Sequence, residues 1–552
     1  MRYFISIFFF CWSFSAFSQN NLPGFQFFEE AERRANLMDD SASTKASFLL
    51  RMPLHPIQGN LGKKVFGIEA LPVLSNTVWN QNRPYGWGDL GMVPAVGLQQ
   101  YVSAGFQAKA SILHVRFQPE AVFAQNKSYQ GFSFDFPGQV ILDRYYYWNY
   151  DDSPELYSDG SLTEAWWGQS SVTLRYGAFE TGLSTRAIWW GPGQWGSLTF
   201  SNTAKSFPHL TLNTTKPAKT FLGNFEGQLL VGRLENSGRN PSQNPDFDKA
   251  YFLPFNGDWR YLNALMISYT PKWIPNVSIG FARTFQQFSE NQIKDFGGYF
   301  PIFEPFQKVN LFQNDNSVIY DGLAQDQQVS FSFRYAIPKA KMEFYAEYGR
   351  RDHAFNWRDA ILSPEHARAY LAGFTKLVDL PGSTKKIQLR GEMIHQQESV
   401  NRYIRYMGEG GDTSWQLHYQ VRSFGNFGQA LGTGIGTGSN IQILEFALVD
   451  QWNKLGVIFH RLENHMDFYN RTFVTRGYTK PWIDFTMGLL FDHSWNDRLV
   501  VSTQLMYVSG MNYQWLNYTK TNFGTNTDTR LNSIHARFKL MLLLKKVSKN
   551  KE

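Results

Sequence analysis

The sequence of 552 residues contains one cysteine, Cys11, which lies in an apolar segment close to the amino terminus. We expect residues 1–18 to form a signal peptide, because a single arginine precedes a short hydrophobic run that ends in small residues. No cysteine occurs after this segment. Disulfide bonds, thiolate metal sites and cysteine nucleophiles are therefore excluded from the mature chain.

Long hydrophobic runs are also absent. From Gln19 onward no run approaches the roughly 18 apolar residues that a membrane-spanning helix needs. Charged residues are only 18% of the chain and aromatic residues are 17%. This combination is typical of a large soluble β protein or an outer-membrane β-barrel. Lysine and arginine are dispersed except in a basic tail at residues 546–552, so nucleic acid is not a predicted partner.

Alternation of apolar and polar residues is the dominant pattern. In residues 329–337 every odd position is apolar and every even position is small or polar, which gives a strand two chemically different faces. Other runs repeat the pattern with charged residues on the second face, including Glu343, Glu347, Arg390 and Glu392. An apolar outside and a charged inside fit a barrel in lipid.

Short connections alternate with long polar or aromatic ones, which predicts hairpins with tight turns on one side of the membrane. The fold class that follows is all-β, a transmembrane antiparallel β-barrel of about 18 strands within residues 65–545. The predicted strands are 65–79, 94–107, 110–124, 166–177, 178–189, 207–213, 224–236, 259–270, 274–287, 326–337, 340–351, 366–378, 385–398, 440–451, 454–464, 481–494, 497–509 and 531–544.

A short helix is predicted before the barrel, in a periplasmic segment at residues 19–64. Phe28, Ala31, Ala35 and Met38 fall at helical spacing among glutamates and arginines. This spacing predicts one amphipathic helix with an apolar face.

The segment from Arg186 to Lys205 is uncharged between its ends and rich in tryptophan. Indole faces beside neutral hydrogen-bonding groups suit flat, polar ligands such as sugar rings. In that interpretation the tryptophans stack on pyranose rings, and polar neighbours bind hydroxyls or a uronic carboxylate. A plug that closes the barrel mouth is the other interpretation. The candidate binding residues are Arg186, Trp189, Trp190, Gln194, Trp195 and Asn202, and the candidate turn residues are Gly191, Pro192 and Gly193.

The remaining motifs do not predict a functional site. The glycine repeat at residues 432–438 predicts a flexible surface loop, because no Lys-Ser/Thr pair follows it. The aromatic cluster at residues 145–152 lies in a predicted extracellular loop. Histidines lack metal-ligand spacing, and no Gly-x-Ser-x-Gly motif occurs, so no metal, cofactor or catalytic residue is predicted.

The chain resembles the Wzi capsule-assembly family of outer-membrane proteins. The strongest match is Arg186 to Pro208, with Trp-Trp-Gly-Pro-Gly at 189–193 and Ser-Asn-Thr-Ala-Lys-Ser-Phe-Pro at 201–208. Looser matches run from Gly86 to Asn126 and from Phe225 to Leu234. The basic tail departs from the terminal aromatic residue expected of such barrels.

The resemblance implies an eighteen-stranded barrel in the outer membrane of a Gram-negative bacterium. It further implies a non-catalytic protein that binds capsular or extracellular polysaccharide, with membrane lipid and capsule-export components as other partners. Two alternatives from other classes stay open at this point. The charged inner face favours a porin-like solute channel, and an outer-membrane hydrolase would need turnover of a polysaccharide or lipid.

Overall fold

The computed structural model describes residues 26–38 and 65–544, apart from residues 256, 275, 305–323, 352–360, 363, 400–413, 479, 496–497 and 519–528. Across these residues the chain is mostly β-strand, as the alternation predicts. Among the helices described, none is long and apolar enough to cross a membrane. The predicted signal peptide and basic tail lie outside the described residues, and the domain boundaries stay predictions.

The regular elements follow the chain in this order. The helices used below are α1 (Gln26–Met38), α2 (Gly138–Asn149), α3 (Pro245–Tyr251), α4 (Phe296–Tyr299) and α5 (Met466–Thr472). The strands are β1 (Phe66–Ala70), β2 (Val73–Asn80), β3 (Gly97–Ser103), β4 (Phe106–Ala110), β5 (Leu113–Phe117), β6 (Glu120–Ala124), β7 (Leu162–Trp166), β8 (Ser171–Tyr176), β9 (Phe179–Ser184), β10 (His209–Thr214), β11 (Ala218–Lys219), β12 (Gly223–Leu234), β13 (Arg260–Pro271), β14 (Val277–Phe288), β15 (Asp326–Ile337), β16 (Met342–Arg351), β17 (Arg368–Asp379), β18 (Lys386–His395), β19 (Gly425–Asn426), β20 (Gln429–Ala430), β21 (Asn440–Asp450), β22 (Asn453–Glu463), β23 (Ile483–Trp495), β24 (Leu499–Met511) and β25 (Arg530–Leu542).

The large sheet is antiparallel, and most neighbours in it are consecutive in the chain. From β12 onward each of its strands pairs with the next one, and β18 pairs directly with β21. The last strand, β25, pairs with β24 and with β2, where Val73 lies opposite Leu542 and Asn80 opposite His535. The hydrogen bonding therefore returns from the end of the sheet to its beginning.

Four strands predicted as continuous are each divided in two. The division between β1 and β2 falls at Pro72, and that between β5 and β6 at Pro119. Proline has no N–H to donate to a ladder, which explains both interruptions. The other two divided strands are 94–107 and 166–177. The number of strands thus depends on whether a bent strand counts once or twice, and eighteen stays a prediction.

The strands on either side of the tryptophan-rich segment have bounds that differ from the predicted ones. The strand predicted at residues 178–189 ends at Ser184, where the chain leaves the sheet. The strand predicted at 207–213 is confirmed as β10, which pairs with both β9 and β12. Residues 185–208, called the Trp segment below, therefore join two neighbouring strands without belonging to either.

The two faces of the strands have the predicted character. On β15 the rings of Phe331 and Phe333 are exposed, whereas Ser332 and Arg334 are buried. The same alternation places Gln388, Arg390 and Glu392 of β18 inside. Apolar side chains thus cover the outer surface, and polar side chains fill the lumen.

The connections at the two ends of the sheet differ in length, as predicted. Turns of a few residues join β4 to β5, β8 to β9, β15 to β16 and β21 to β22 at one end. The connections at the opposite end are much longer and carry α2, α3, α4 and α5. We refer to these as the turn end and the loop end.

The predicted helix is confirmed as α1, but its predicted apolar face is only partly buried, at Ala31. Ala35 and Met38 are exposed, while Glu29, Glu30, Arg33 and Arg34 are buried in the lumen at the turn end. The reason is that the lumen wall is itself charged. Arg33 lies 3.4 Å from the Glu343 carboxylate, and Glu30 lies 2.8 Å from Lys454 and 3.0 Å from Arg390.

An aromatic cluster closes the loop end. The predicted extracellular cluster at residues 145–152 forms the end of α2 and the residues after it, and Tyr145, Tyr147 and Trp148 are buried there rather than displayed. They pack with Phe468 of α5, with Phe473 directly after that helix, and with Trp515. Aromatic rings of this size bury large apolar area, so the long connections form a packed roof.

Candidate functional site

The Trp segment crosses the interior of the barrel. It leaves the sheet after β9, and its central residues contact β16, β17 and β18, far along the chain. The side-chain amide of Gln194 donates to Thr375 Oγ1 at 2.8 Å, and its carbonyl oxygen accepts from Arg390 at 2.7 Å. The candidate residues are therefore placed in the lumen and not on an external loop.

Two lumen carboxylates hold the backbone of this segment. Glu392 accepts N–H groups from Gln194 at 2.6 Å, Trp195 at 3.0 Å and Gly196 at 3.1 Å. Its fourth donor is the Tyr345 hydroxyl, at 2.9 Å. Carboxylates with several N–H donors make strong, directional hydrogen bonds.

Glu347 does the same on the neighbouring stretch. Its carboxylate accepts from the backbone N–H of Gly193 at 3.4 Å and of Leu198 at 3.0 Å. The charged inner face that the sequence indicates is thus occupied by protein and is not lined with open water.

The chain bends at residues 191–192, and glycine is required on both sides of Pro192. Gly191 has φ +106°, and a Cβ there would overlap the Glu347 carboxylate. A Cβ on Gly193 would overlap the carbonyl oxygen of Gly196. The Pro192 carbonyl accepts from Arg33 of α1 at 3.0 Å, so the turn rests on the helix below it.

Trp189 and Trp190 are buried, with 3% and 1% of their surface exposed. The Trp190 indole donates to Gln228 Oε1 at 2.9 Å and packs edge-on against Phe200, with centroids 4.7 Å apart. Phe200 in turn contacts Phe424 from another long connection. In this arrangement both tryptophans fill the packed interior, as the plug interpretation requires.

Trp195 differs from them because it is only half-buried. The guanidinium of Arg390 lies over its ring, 4.3 Å from the centroid. This is the geometry of a cation–π contact. The ring also borders a cavity that Arg390 helps to line.

Arg186 and Asn202 lie near the two ends of the segment. Arg186 is partly exposed and forms an ion pair with Glu180 of β9. Asn202 is 5% exposed, and its backbone carbonyl accepts from Leu90 N–H at 2.7 Å. These two residues therefore do not meet Trp195, and the structure does not gather the six candidates into one surface.

The connection at residues 81–96 contributes residues that the sequence analysis did not single out as a site. The Tyr85 hydroxyl lies 2.8 Å from His460 Nδ1 and 2.8 Å from Thr486 Oγ1. Trp87 packs beside His460, with ring centroids 5.8 Å apart. The only sequence signal was the Gly-Trp-Gly-Asp match at 86–89, which indicated family and gave no role.

Asp89 lies in the same connection, beside two cationic side chains. It pairs with Arg537 and Lys539 of β25, the latter at 3.2 Å. Burial alone would raise the pKa of Asp89, but these two cations lower it below its ordinary value. The carboxylate therefore stays ionised and ties the connection to the last strand.

The glycine repeat is not the flexible surface loop that the sequence predicts. Gly432, Ile435 and Gly438 are buried, and the Leu431 carbonyl accepts from Ser201 N–H at 2.7 Å. A Cβ on Gly432 would overlap the Leu198 carbonyl. Gly432 thus lets the two backbones lie close together, and the repeat packs on the Trp segment.

No cluster of metal-ligating side chains occurs among the residues that the structure describes. Asp151 and Asp152 are held by protein donors instead. The Asp152 carboxylate accepts from the backbone N–H and hydroxyl of Ser237, and Asp151 accepts from the Ser153 hydroxyl at 2.9 Å. These contacts order the roof.

Comparison with protein families decides where the chain belongs. The sequence model of the family described as capsule assembly protein Wzi matches residues 96–407, more than half of the chain and all of the Trp segment. The chain belongs to the Wzi capsule-assembly family. The resemblance identified from Arg186 to Pro208 is thereby confirmed.

Several solved structures are similar to this Wzi-family chain. The Escherichia coli outer-membrane protein Wzi, described as a carbohydrate-binding β-barrel involved in group 1 capsule assembly, matches with a TM-score of 0.58 at 11% identity over 96% of this chain and 99% of that one. OprD of Pseudomonas aeruginosa reaches a TM-score of 0.39 at 11% identity, over 87% of this chain and 97% of its own. A BenF-like porin of Pseudomonas fluorescens reaches 0.39 at 10% identity, over 86% and 99%.

No curated protein matches the chain. At 11% identity the Escherichia coli structure shows that the Wzi-family chain has the β-barrel fold. The two porin matches are too weak to support an argument.

Proposed function

We propose that this protein binds polysaccharide at the outer membrane and acts in capsule or exopolysaccharide assembly and attachment at the cell surface. The observation that carries the proposal is membership of the Wzi family across the Trp segment. Binding along a repeating polymer is multivalent, so modest affinity at each site suffices for retention. The role is non-catalytic, with membrane lipid and other capsule-export components as further partners.

The contacts of the Trp segment support a binder more than a channel. The lumen charges that favoured a porin hold this segment and α1 through hydrogen bonds and ion pairs. A water-filled pore would leave such groups solvated. We therefore expect the lumen to be occluded.

The six candidate residues form the proposed binding element, with a division of labour among them. Trp195 and Arg186 retain accessible surface and are proposed to contact sugar. The buried members are proposed to act by holding the segment in place: Trp189, Trp190, Gln194 and Asn202.

Capsule retention on cells tests the proposal. Cells that lack this protein would be complemented with the wild type, with the double variant Trp189→Ala/Trp190→Ala, with Trp195→Ala, or with Trp273→Ala as a control on the turn end. We expect reduced retention of polysaccharide with the first two variants and full retention with the control, at equal amounts of inserted protein. Unchanged retention in all variants would remove the Trp segment from the binding element.

A glycan array probed with the refolded barrel tests binding directly. We expect signals with acidic or neutral polysaccharide fragments. An array without any signal, from protein that migrates as folded barrel on gels, would contradict the proposed function.

A further inference from the structure

A cavity lies in the lumen between α1 and the Trp segment, and we call it the lumen chamber. Its volume is about 80 Å³. Gln26 and Phe27 of α1 form one wall, and Trp195 forms part of the opposite wall. The strands β18, β21, β22, β24 and β25 supply most of the remainder, and Trp87 enters from the connection at 81–96.

Two tryptophans keep accessible surface inside this chamber. Trp87 and Trp195 are both partly exposed although they lie in the lumen, and both pack against the same hydrophobic cluster. An interior indole usually has its ring covered on all sides by protein, as Trp190 does. Uncovered indole surface facing a polar cavity is the environment in which proteins stack sugar rings.

The rest of the lining is polar and internally balanced. Arg390 pairs with Glu445 at 2.5 Å, and Lys454 pairs with Glu30 at 2.8 Å. Gln504 adds a neutral amide that accepts from Arg537 at 3.3 Å. Because the cations have carboxylate partners, the chamber presents hydrogen-bonding groups without a large excess of one charge.

The size limits the ligand. A cavity needs about 10–15 Å³ on this measure to hold one water molecule, so the chamber has room for several waters or one small polar ring. A polymer chain does not fit. Two indoles and the hydrogen-bonding groups around them match a ligand that consists of one hydroxylated ring.

We infer that the lumen chamber is a binding site for a single pyranose unit, held between Trp87 and Trp195 and hydrogen-bonded by the surrounding amides and ion pairs. The inference rests on the proposed polysaccharide-binding function and extends it from the polymer to one sugar residue in the lumen. Neutral and uronic pyranoses share the required ring and hydroxyl groups.

Titration of the purified, detergent-solubilised protein with D-glucose and with D-glucuronate tests the site, with saturation-transfer difference NMR as the readout. We expect transfer to at least one of the two sugars in the wild type. Trp87→Ala and Trp195→Ala should each weaken binding about tenfold or more, the equivalent of losing one stacking contact. Trp273→Ala, whose ring is 64% exposed at the turn end, should leave binding unchanged.

The matched variants Trp87→Phe and Trp195→Phe keep an aromatic ring if an alanine variant fails to insert. They should bind more weakly than the wild type and more tightly than alanine. Absence of transfer from both sugars to the wild type would overturn the inference, as would equal weakening by Trp87→Ala and Trp273→Ala.

Polymer binding by the same preparations separates this inference from the proposed function. Polymer binding without binding of either monosaccharide refutes the chamber and leaves the proposed function standing. Monosaccharide binding that Trp87→Ala and Trp195→Ala weaken, without any polymer binding, supports the chamber and refutes the proposed function.

Discussion

Individual lumen carboxylates determine the path of the Trp segment. Glu392 and Glu347 each accept several backbone N–H groups from a stretch of chain that has no regular structure of its own. Buried N–H groups without acceptors are costly. The two strand residues therefore replace the hydrogen bonds that a helix or strand would have supplied.

Glu392→Gln should destabilise this arrangement. The substitution replaces one carboxylate oxygen by an amide NH2 group, which is a donor. If that group takes the place of Oε2, it faces the Gln194 N–H and the Tyr345 hydroxyl, which are also donors. We expect a loss of about 1–3 kcal/mol in the free energy of unfolding, measured by denaturant titration in detergent. Glu290→Gln, on an exposed residue near the loop end, is the control. Equal stability of both variants would show that the carboxylate contributes little.

Gly191→Ala should act through backbone geometry. Alanine is strained at φ +106°, and its methyl group would meet Glu347. We expect a loss of about 1–3 kcal/mol, seen as a lower thermal unfolding temperature in detergent. Gly160→Ala, where no atom lies near the new methyl group, should leave that temperature unchanged.

At the scale of elements, α1 is held by charge. Burial alone would raise the pKa of Glu30, but Arg390, Lys454 and Arg34 hold it well below the ordinary value of a glutamate. The helix therefore binds the lumen through paired ions as well as through buried apolar side chains such as Phe27 and Leu37.

Glu30→Gln should loosen the helix. The substitution leaves Arg390 and Lys454 with fewer counter-charges in a buried site, and breaking a buried pair costs about 3–5 kcal/mol. We expect faster proteolysis of α1 in the otherwise intact barrel. Met38→Ala, at an exposed position of the same helix, should be cleaved at the wild-type rate.

The roof at the loop end should respond to pH. Burial raises the pKa of Asp467 in α5 to about 7. Because the folded state holds this proton and the unfolded state does not, the stability of the roof falls as pH rises from about 4 to about 7. Hydrogen exchange of α5 should therefore show more opening at pH 8 than at pH 5, after correction for intrinsic rates. Asp467→Asn should abolish that difference, and an unchanged difference would assign it to another group.

At the scale of the whole molecule, three layers occupy the lumen. α1 lies at the turn end, the Trp segment crosses the middle, and the aromatic cluster of α2 and α5 covers the loop end. Each layer is fixed to the wall or to its neighbours by named contacts. We expect the three layers together to occlude the lumen.

The wild type should therefore show no steady open current in planar bilayers. A variant in which residues 189–196 are replaced by a short glycine-serine linker should conduct at least intermittently. Its current is the positive control, because it shows that inserted barrels are detected in this measurement. Large steady currents from the wild type would favour the porin alternative.

Much of the wall could be predicted from the sequence, because alternation is a local signal. The odd-even pattern of β15 and β18 identified their inner and outer faces correctly. The Trp segment was recognised from its composition, and the role of its glycines stays a prediction. The prolines that divide two strands interrupt the hydrogen-bond ladder without interrupting the alternation, so the pattern predicts one continuous strand in each case.

The contents of the lumen were harder to predict. Ala35 and Met38 were predicted to be buried and are exposed, because helical periodicity assumes an apolar partner and much of the wall around α1 is charged. The buried glycine repeat looked like a loop because backbone packing leaves no side-chain pattern. Trp87 could not be paired with Trp195 from sequence, since their proximity depends on the closing of the fold around them.

The ion pairs of α1 also constrain the order in which the protein assembles. Glu30 is separated from Lys454 by 424 residues, so the partner that secures the helix is synthesised long after the helix itself. Contacts of such sequence separation form late because the intervening chain must first be ordered. We therefore expect α1 to dock late in folding, after the strands that carry Arg390 and Lys454 are in place.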